Sequence, residues 1–282
     1  MRKYIVFYNP DGEESEATIK SAFDVSEVLG AVKISLNSTK WKRQILDYLE
    51  SGRILKEYTC FLATHGGFGE SGELTRFITS LNMKCTHSPA EASATMSNKH
   101  QMKKAYQLLG INTPNWFYKK KFFPTNERPI AKRWLCKPIA GGSKNGISFV
   151  NDIGDSGDLI YEEYIEGVRE ISVWTLGKEK VIALPPLMRR RNPNELGVLR
   201  NNNKNPPKEL SEYCKEKAKY IHYFLAAKGV IKTDFLIDPS NNIYAIETDA
   251  QPALDLESGV VRQAALLNIS YKRLINIIGE QI

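Results

Sequence analysis

Short apolar runs rich in β-branched and aromatic residues open the chain. Residues 4–8 (YIVFY) and 58–63 (YTCFLA) predict buried strands, and 31–36 (AVKISL) a weaker third. Trp41, Ile45 and Leu49 recur at helical spacing within 40–49. Leu74, Phe77, Ile78 and Leu81 do the same after the segment HGGFGESG, which begins at His65. Strand and helix alternating in this way predict a small parallel α/β lobe over residues 1–92.

Beyond it, Met102, Ala105, Tyr106 and Leu109 mark one face of a helix over 97–110, closed by Gly110. The segment INTPNW that follows is extended, as the residue before a proline prefers. Between 130 and 185 the pattern turns to strands (RWLCKPI, GISFV, LIYEEYI, EISVWTL, KVIALPP), separated in part by the turn sequences GGSKNG and GDSGD. An antiparallel sheet backed by helices follows, with a second lobe over 93–175 and a third over 176–282. Residues 186–206 are polar, rich in Asn and Pro and without period, and read as a mobile loop. A long helix carries Leu210, Tyr213, Cys214, Ala218, Ile221 and Leu225 on one face, with Gly229 at its end. Two helices, near 258–267 and 270–279, close the chain.

Two strand-like runs, 231–238 and 243–249, flank a turn signal at Pro239–Asn242. Pairing Asp238 with Ile243 puts Asp234 opposite Glu247 and Lys232 opposite Asp249. Side chains alternate along strands, so these four share a face, while Phe235, Ile237, Tyr244 and Ile246 form an apolar reverse. Opposed carboxylates repel. A hard divalent cation with oxygen ligands would compensate, and a lysine beside it would hold a phosphate or an oxyanion. A solvated charged face on an edge hairpin is the competing reading.

Composition narrows the field only slightly. Hydrophobic content of 42% and charged content of 25% are those of a globular chain. A net charge of +7 suits a polyanionic substrate or a nucleic acid. The basic aromatic stretch WFYKKKFF at 116–123 is the one segment of the kind that stacks on bases. Cys60, Cys85, Cys136 and Cys214 form no CxxC pair, which fits a reduced, cytoplasmic protein without a zinc site. No apolar stretch reaches a membrane-spanning length.

Other polar residues admit two readings each. Lys137 in an apolar strand is an outward-facing residue or a buried phosphate ligand, and the turn Gly141–Gly146 is a plain loop or a flap over phosphates. Glu162, Glu163 and Glu170 serve solubility or accept hydrogen bonds from an adenine amine and ribose hydroxyls. Arg189, Arg190 and Arg191 are a solvated patch or an anion clamp. His65 lies at the carboxyl end of a strand, where ligand sites of open α/β sheets gather, or caps a tight turn.

Taken in order, HGGFGESG (65–72), MSNKHQMK (96–103), CKPIAGGSKNG (136–146), LIYEEYIEGVRE (159–170), KTDF (232–235) and AIETD (245–249) resemble the motif series of the ATP-grasp superfamily, and within it the D-alanine–D-alanine ligases. The resemblance implies an α/β, partly α+β, three-lobed ATP-grasp fold. A small parallel α/β lobe would precede two antiparallel-sheet lobes enclosing ATP. It implies that Lys99 and Lys137 contact the phosphates and that Gly142 and Ser143 belong to the flap. It places Glu162, Glu163, Tyr164, Ile165, Glu170, Leu236 and Ile246 about the nucleotide. Asp234, Glu247 and Asp249 would bind two magnesium ions, with manganese as a substitute, and Lys232 would face the acyl phosphate. His65, Glu70, Arg189, Arg190, Arg191 and Ser258 would bind substrate, and Glu14 would anchor the first substrate's amine.

The chemistry so implied is ATP-dependent joining of a small-molecule carboxylate to an amine through an acyl phosphate. Neither nucleic acid nor membrane is an expected partner, and a homodimer is the expected assembly. Several positions depart from the family pattern. NPDGEESE stands for its N-terminal GG-x-S-x-E, Lys144 for a flap serine, the 186–206 segment for a tyrosine-bearing loop, and Pro252–Ala253 for Pro-Gly. These departures lead to an expectation of amino-acid or small-peptide substrates other than a pair of D-alanines. A true D-alanine–D-alanine ligase is the alternative, and a basic nucleic-acid-binding protein a remote one.

Overall fold

The computed structural model describes residues 2–12, 14–127, 129, 133–142, 146–154, 157–166, 169–191, 199–201 and 205–281. The chain begins β1 (Tyr4–Tyr8), α1 (Ser15–Leu29), β2 (Val32–Ser35), α2 (Trp41–Glu50), β3 (Thr59–Leu62), α3 (Gly67–Glu70), α4 (Glu73–Ser80) and β4 (Lys84–Cys85). The four strands form a parallel sheet in the order β2-β1-β3-β4. Ile5, Val6, Phe7, Cys60, Phe61 and Leu62 are buried on both faces, which is why these strands read as continuous apolar runs. Strand order reverses between β1 and β3, so their carboxyl ends, Asn9 and His65, flank a crevice of the kind that binds ligands in open α/β sheets. Gly72, at φ +85°, has its missing Cβ pressed against the carbonyl of Ala90, so only glycine admits this approach.

Next come α5 (Ala90–Ser97), α6 (Lys99–Leu108), β5 (Trp116–Tyr118), β6 (Lys121–Phe123), β7 (Trp134–Pro138), β8 (Ser148–Val150) and β9 (Leu159–Glu163). The strands make an antiparallel sheet, β6-β5-β9-β7-β8. The β5–β6 hairpin turns through Lys119 and Lys120, both at positive φ. Its rings pack inward: Trp116 is fully buried, stacks on Phe123 at 4.9 Å, and donates its indole N–H to His100. The aromatic residues of WFYKKKFF are thus largely occupied with one another.

The rest of the chain is β10 (Arg169–Gly177), β11 (Ile182–Ala183), β12 (Leu187–Arg191), β13 (Leu199–Asn201), α7 (Lys208–Phe224), β14 (Gly229–Ile237), β15 (Ile243–Asp249), α8 (Gly259–Ala265) and α9 (Tyr271–Gly279). Its sheet runs β13-β12-β10-β14-β15, with β11 also on β10. One face carries Ile171, Val173, Ile231, Phe235, Ile237 and Ala245 against Met102, Tyr106, Cys214, Ala218 and Ile221 of α6 and α7. A second core joins Val6, Ala22 and Phe61 to Trp174, Val230, Leu274, Ile275 and Ile278, so the closing helices complete the first lobe.

β10 belongs to the third sheet, so sheet membership changes between Glu163 and Arg169. Two sequence expectations are corrected. The 186–206 segment is in part a two-stranded extension of that sheet: Met188 anchors β12 in the core, and β13 pairs with β12. Residues 192–198 and 202–204 lie outside the described residues. α7 ends at Phe224, and Gly229 opens β14 instead of closing the helix. α1 and α5 had no counterpart in the sequence reading. Among the described residues, no helix is long and apolar enough to cross a membrane.

Candidate active site

The hairpin β14–β15 pairs Lys232 with Asp249 and Asp234 with Glu247, as its alternation predicts. After Asp234 the register slips: Phe235 pairs with Ala245 and Leu236 with Tyr244, leaving Ile246 as the unpaired residue of a β-bulge. The bulge turns Ala245, not Tyr244 or Ile246, into the core. Tyr244 therefore moves to the charged face beside Leu236, a correction to the uniform alternation. β10 adds Glu170, Ser172 and Trp174 to that face, opposite Leu236, Asp234 and Lys232.

On this face Ser172 donates a 2.6 Å hydrogen bond to Asp234 Oδ1. The Lys232 ammonium lies 3.4 Å from Asp234 Oδ2 and 3.5 Å from Asp249 Oδ2. Burial opposes its charge, but Asp234, Asp249, Glu247 and Glu170 outweigh burial and raise its pKa well above the ordinary value. Glu247 is open to solvent along the cleft yet surrounded by protein. Desolvation, reinforced by Asp234 and Asp249 against the pull of Lys232 and Lys99, pushes its pKa up. A carboxylate raised by its neighbours is one that a cation would relieve. Among the described residues no three such groups already converge as a cage. Magnesium takes one or two carboxylates with phosphate oxygens and water, so this all-oxygen donor set suits it.

Lys99 opens α6 and Lys137 lies on β7. Lys99 donates to the Gly141 carbonyl at 2.7 Å, which ties down the start of the glycine-rich turn. Burial lowers its pKa, Glu247 opposes, and Lys137 adds to the lowering. Gly142 is half-buried, and Ser143 lies outside the described residues. Glu162, expected near the adenine, is engaged by two lysines. One of its oxygens accepts from Lys137 and the other from Lys103 at 2.8 Å. Burial would raise the Glu162 pKa, but the two lysines hold it down at about 2. With the folded pKa below the ordinary 4.5, Glu162 stabilises the fold above pH 4.5, and that contribution is lost as pH falls through about 2. Across this window the native chain is expected to lose about 3 kcal/mol more stability than Glu162→Gln, measured by urea melts at several pH values.

The loop after β3 is fixed from two sides. Asn9 donates to the His65 carbonyl at 2.7 Å and accepts from the His65 N–H at 3.0 Å. Gln251, 2% exposed, accepts from Thr64 Oγ1 at 2.8 Å and donates to the Gly69 carbonyl at 2.7 Å. Its own N–H donates to Asp249 Oδ1 at 2.9 Å. His65 Nδ1 lies 3.7 Å from Glu70, while its Nε2 is buried without a partner among the described residues. Burial opposes protonation of His65, but Glu70, Asp249 and Glu14 prevail and raise its pKa. Burial raises the Glu70 carboxyl, with Asp249 adding to the effect and His65 opposing it.

The remaining predicted residues divide. Glu14 precedes α1 and lines a cavity of about 480 Å³ with Lys20 and Asp255. Ser258 precedes α8, and its buried hydroxyl has no hydrogen-bond partner among the described residues. Glu163 accepts from the Asn115 amide at 2.6 Å. The Tyr164 N–H donates to the Arg133 carbonyl, and Ile165 is half-buried beside it. Arg189 pairs in register with Glu170 on the charged face. Arg190 pairs with Arg169 on the opposite face, away from the site, which corrects its inclusion. The side chain of Arg191 lies outside the described residues. Sequence reasoning assigned no role to Lys103 or Gln251. For Lys103 the signal was the second lysine of MSNKHQMK.

No family model matches the chain. The D-alanine–D-alanine ligase of Aquifex aeolicus is 24% identical over 250 residues, 79% of this chain and 82% of that protein. The D-alanine–D-alanine ligase of Wolbachia pipientis wMel is 26% identical over 275 residues, 89% and 87% of the two. Among solved structures, the D-alanine–D-alanine ligase from Bacillus anthracis complexed with ATP has a TM-score of 0.77 at 20% identity, over 100% of this chain and 97% of that one. The VanG D-Ala:D-Ser ligase from Enterococcus faecalis has a TM-score of 0.78 at 18% identity, over 99% and 98%. The expectation of substrates other than a pair of D-alanines is thereby corrected, since these sequence relatives carry the name of the alternative. The departures behind that expectation lie outside the β14–β15 hairpin in sequence. They leave Lys232, Asp234, Glu247 and Asp249 on their common face. In sequence the chain is similar to D-alanine–D-alanine ligases, and it shares their ATP-grasp fold.

Proposed function

We propose that the chain joins two molecules of D-alanine at the expense of ATP. The observation that carries this reading is the single charged face formed by Lys232, Asp234, Glu247 and Asp249 across β14 and β15. The relatives named D-alanine–D-alanine ligase, which span more than three quarters of the chain, support the choice of substrate.

In this reading the carboxylate of the first D-alanine attacks the γ-phosphorus, and ADP leaves. The amine of the second D-alanine then attacks the acyl carbon, and inorganic phosphate leaves with the bonding pair. Lys99 and Lys137 hold the phosphates in line, and Gly142 and Ser143 cover them from the flap. Lys232 balances charge at the acyl phosphate. Glu163, Tyr164 and Ile165 hold the adenine end through the hinge, with Glu170 at the ribose and Leu236 and Ile246 beside it. Glu14 anchors the first amine, with His65 and Glu70 nearby. The hydroxyl of Ser258, unpartnered among the described residues, receives the second carboxylate, and Arg189 draws anions to the cleft. Asp234, Glu247 and Asp249 would hold two magnesium ions, or manganese in their place, which screen the phosphate charge when bound.

Purified chain supplied with ATP, magnesium and D-alanine is expected to release phosphate and form D-alanyl-D-alanine in equal amounts. L-alanine is expected to give neither. Phosphate release that D-alanine leaves unchanged would rule the assignment out.

A further inference from the structure

Lys103 is 1% exposed, and its ammonium has a full set of acceptors. It donates to Glu162 Oε2 at 2.8 Å, to Thr113 Oγ1 at 2.8 Å and to the Pro114 carbonyl at 3.0 Å. It also stands 5.2 Å from the centre of the Trp116 ring. A primary ammonium has three protons, so each is used and the group has one orientation. Taking such a charge out of water is unfavourable by several kcal/mol unless its geometry is this complete. The partner carboxylate, 3% exposed, is held between two cations: Oε2 on Lys103 and Oε1 on Lys137. Lys137, its side chain 12% exposed against 1% for Lys103, is the more open of the two lysines, and its charge acts on Lys99.

We infer that Lys103 is a positioning residue for nucleotide: it locks Glu162, and Glu162 in turn aims the Lys137 ammonium at the phosphates of ATP. Without Lys103 the carboxylate is free to rotate and to take both its hydrogen bonds from Lys137, which draws that ammonium back from the cleft. The sequence places Lys103 one helical turn beyond Lys99, so α6 supplies one lysine to the cleft and one to its support. The inference deepens the ATP part of the proposed function and does not depend on which amino acid is joined.

The test is calorimetric binding of ATP with magnesium, in the absence of D-alanine. Lys103→Met is expected to weaken ATP binding by about 10- to 100-fold, the range typical of lost support to a ligand-holding group. Lys103→Arg, which keeps a cation on Glu162, is expected to recover most of that loss. In a Lys137→Met background, Lys103→Met is expected to add almost nothing, because its effect runs through Lys137. Equal losses in both backgrounds, or a folded Lys103→Met with native affinity, would overturn the inference. If Lys103→Met does not fold, Thr113→Val removes one acceptor and loosens the same ammonium. It is expected to weaken ATP binding in the native background alone, and unchanged affinity there overturns the inference equally. A chain that binds ATP but forms no D-alanyl-D-alanine would refute the substrate assignment and leave this inference standing.

Discussion

Glu247→Gln is expected to lower ATP turnover by about two to three orders of magnitude, the usual effect of removing one charge that stabilises a phosphoryl-transfer site. The substitution keeps the shape of the side chain and its place opposite Asp234. What it removes is a negative charge already held against desolvation and two carboxylate neighbours. Relief of that repulsion should leave the melting temperature unchanged or raised by a few degrees. Loss of activity and gain of stability from one atom would separate a functional carboxylate from a solvated surface one. Phosphate release and a thermal melt on the same sample provide the check. A variant that keeps most of its activity would sink the cation-binding role of this face.

Gln251→Leu is expected to have the largest effect on stability among residues near the site. Leucine fills a similar volume but strands the Thr64 hydroxyl and the Gly69 carbonyl, both of which Gln251 satisfies in a buried setting. Each unsatisfied group costs about 1–3 kcal/mol. For a chain of this size the melting temperature should therefore fall by about 5–15 °C. Turnover should also fall, because the loop bearing His65 and Glu70 loses its tie to the strand that ends at Asp249. Gln251→Glu keeps one acceptor and is the companion variant. A melting temperature within a degree or two of native for Gln251→Leu would show that the junction is held by other contacts.

Much of this architecture was legible before any coordinates. β1, β3, α2, α4 and α9 announce themselves because most of their buried positions are occupied by large apolar residues at one period. α1 did not, since it buries Thr18, Ser21, Ala22 and Ser26 along with Val25, and small or polar residues leave no apolar stripe. α5 was missed for the same reason, with Ala90, Ala92 and Ser93 facing inward. In β12 only Leu187 and Met188 are apolar, and three arginines hide the strand.

At the site, the register of Lys232, Asp234, Glu247 and Asp249 follows from strand alternation alone. The change of face at Tyr244 does not, because a bulge breaks the period without a Gly or Pro to mark it. Nor could sequence show that Glu162 is occupied by two lysines. Their separation along the chain, with Lys103 on α6 and Lys137 on β7, conceals a meeting that only tertiary packing makes.

The shared core of the first lobe has a consequence for how the chain reaches this state. Val6, Phe61 and Ala22 are covered by Leu274, Ile275 and Ile278, partners more than two hundred residues away. Closing so long a segment is entropically slow, and non-local contacts of this kind lower folding rates. During synthesis, the first four strands leave the ribosome long before α9 exists to cover them. Their apolar surface waits in the open, a natural client for chaperones, and the lobe is sealed only when the last helix docks.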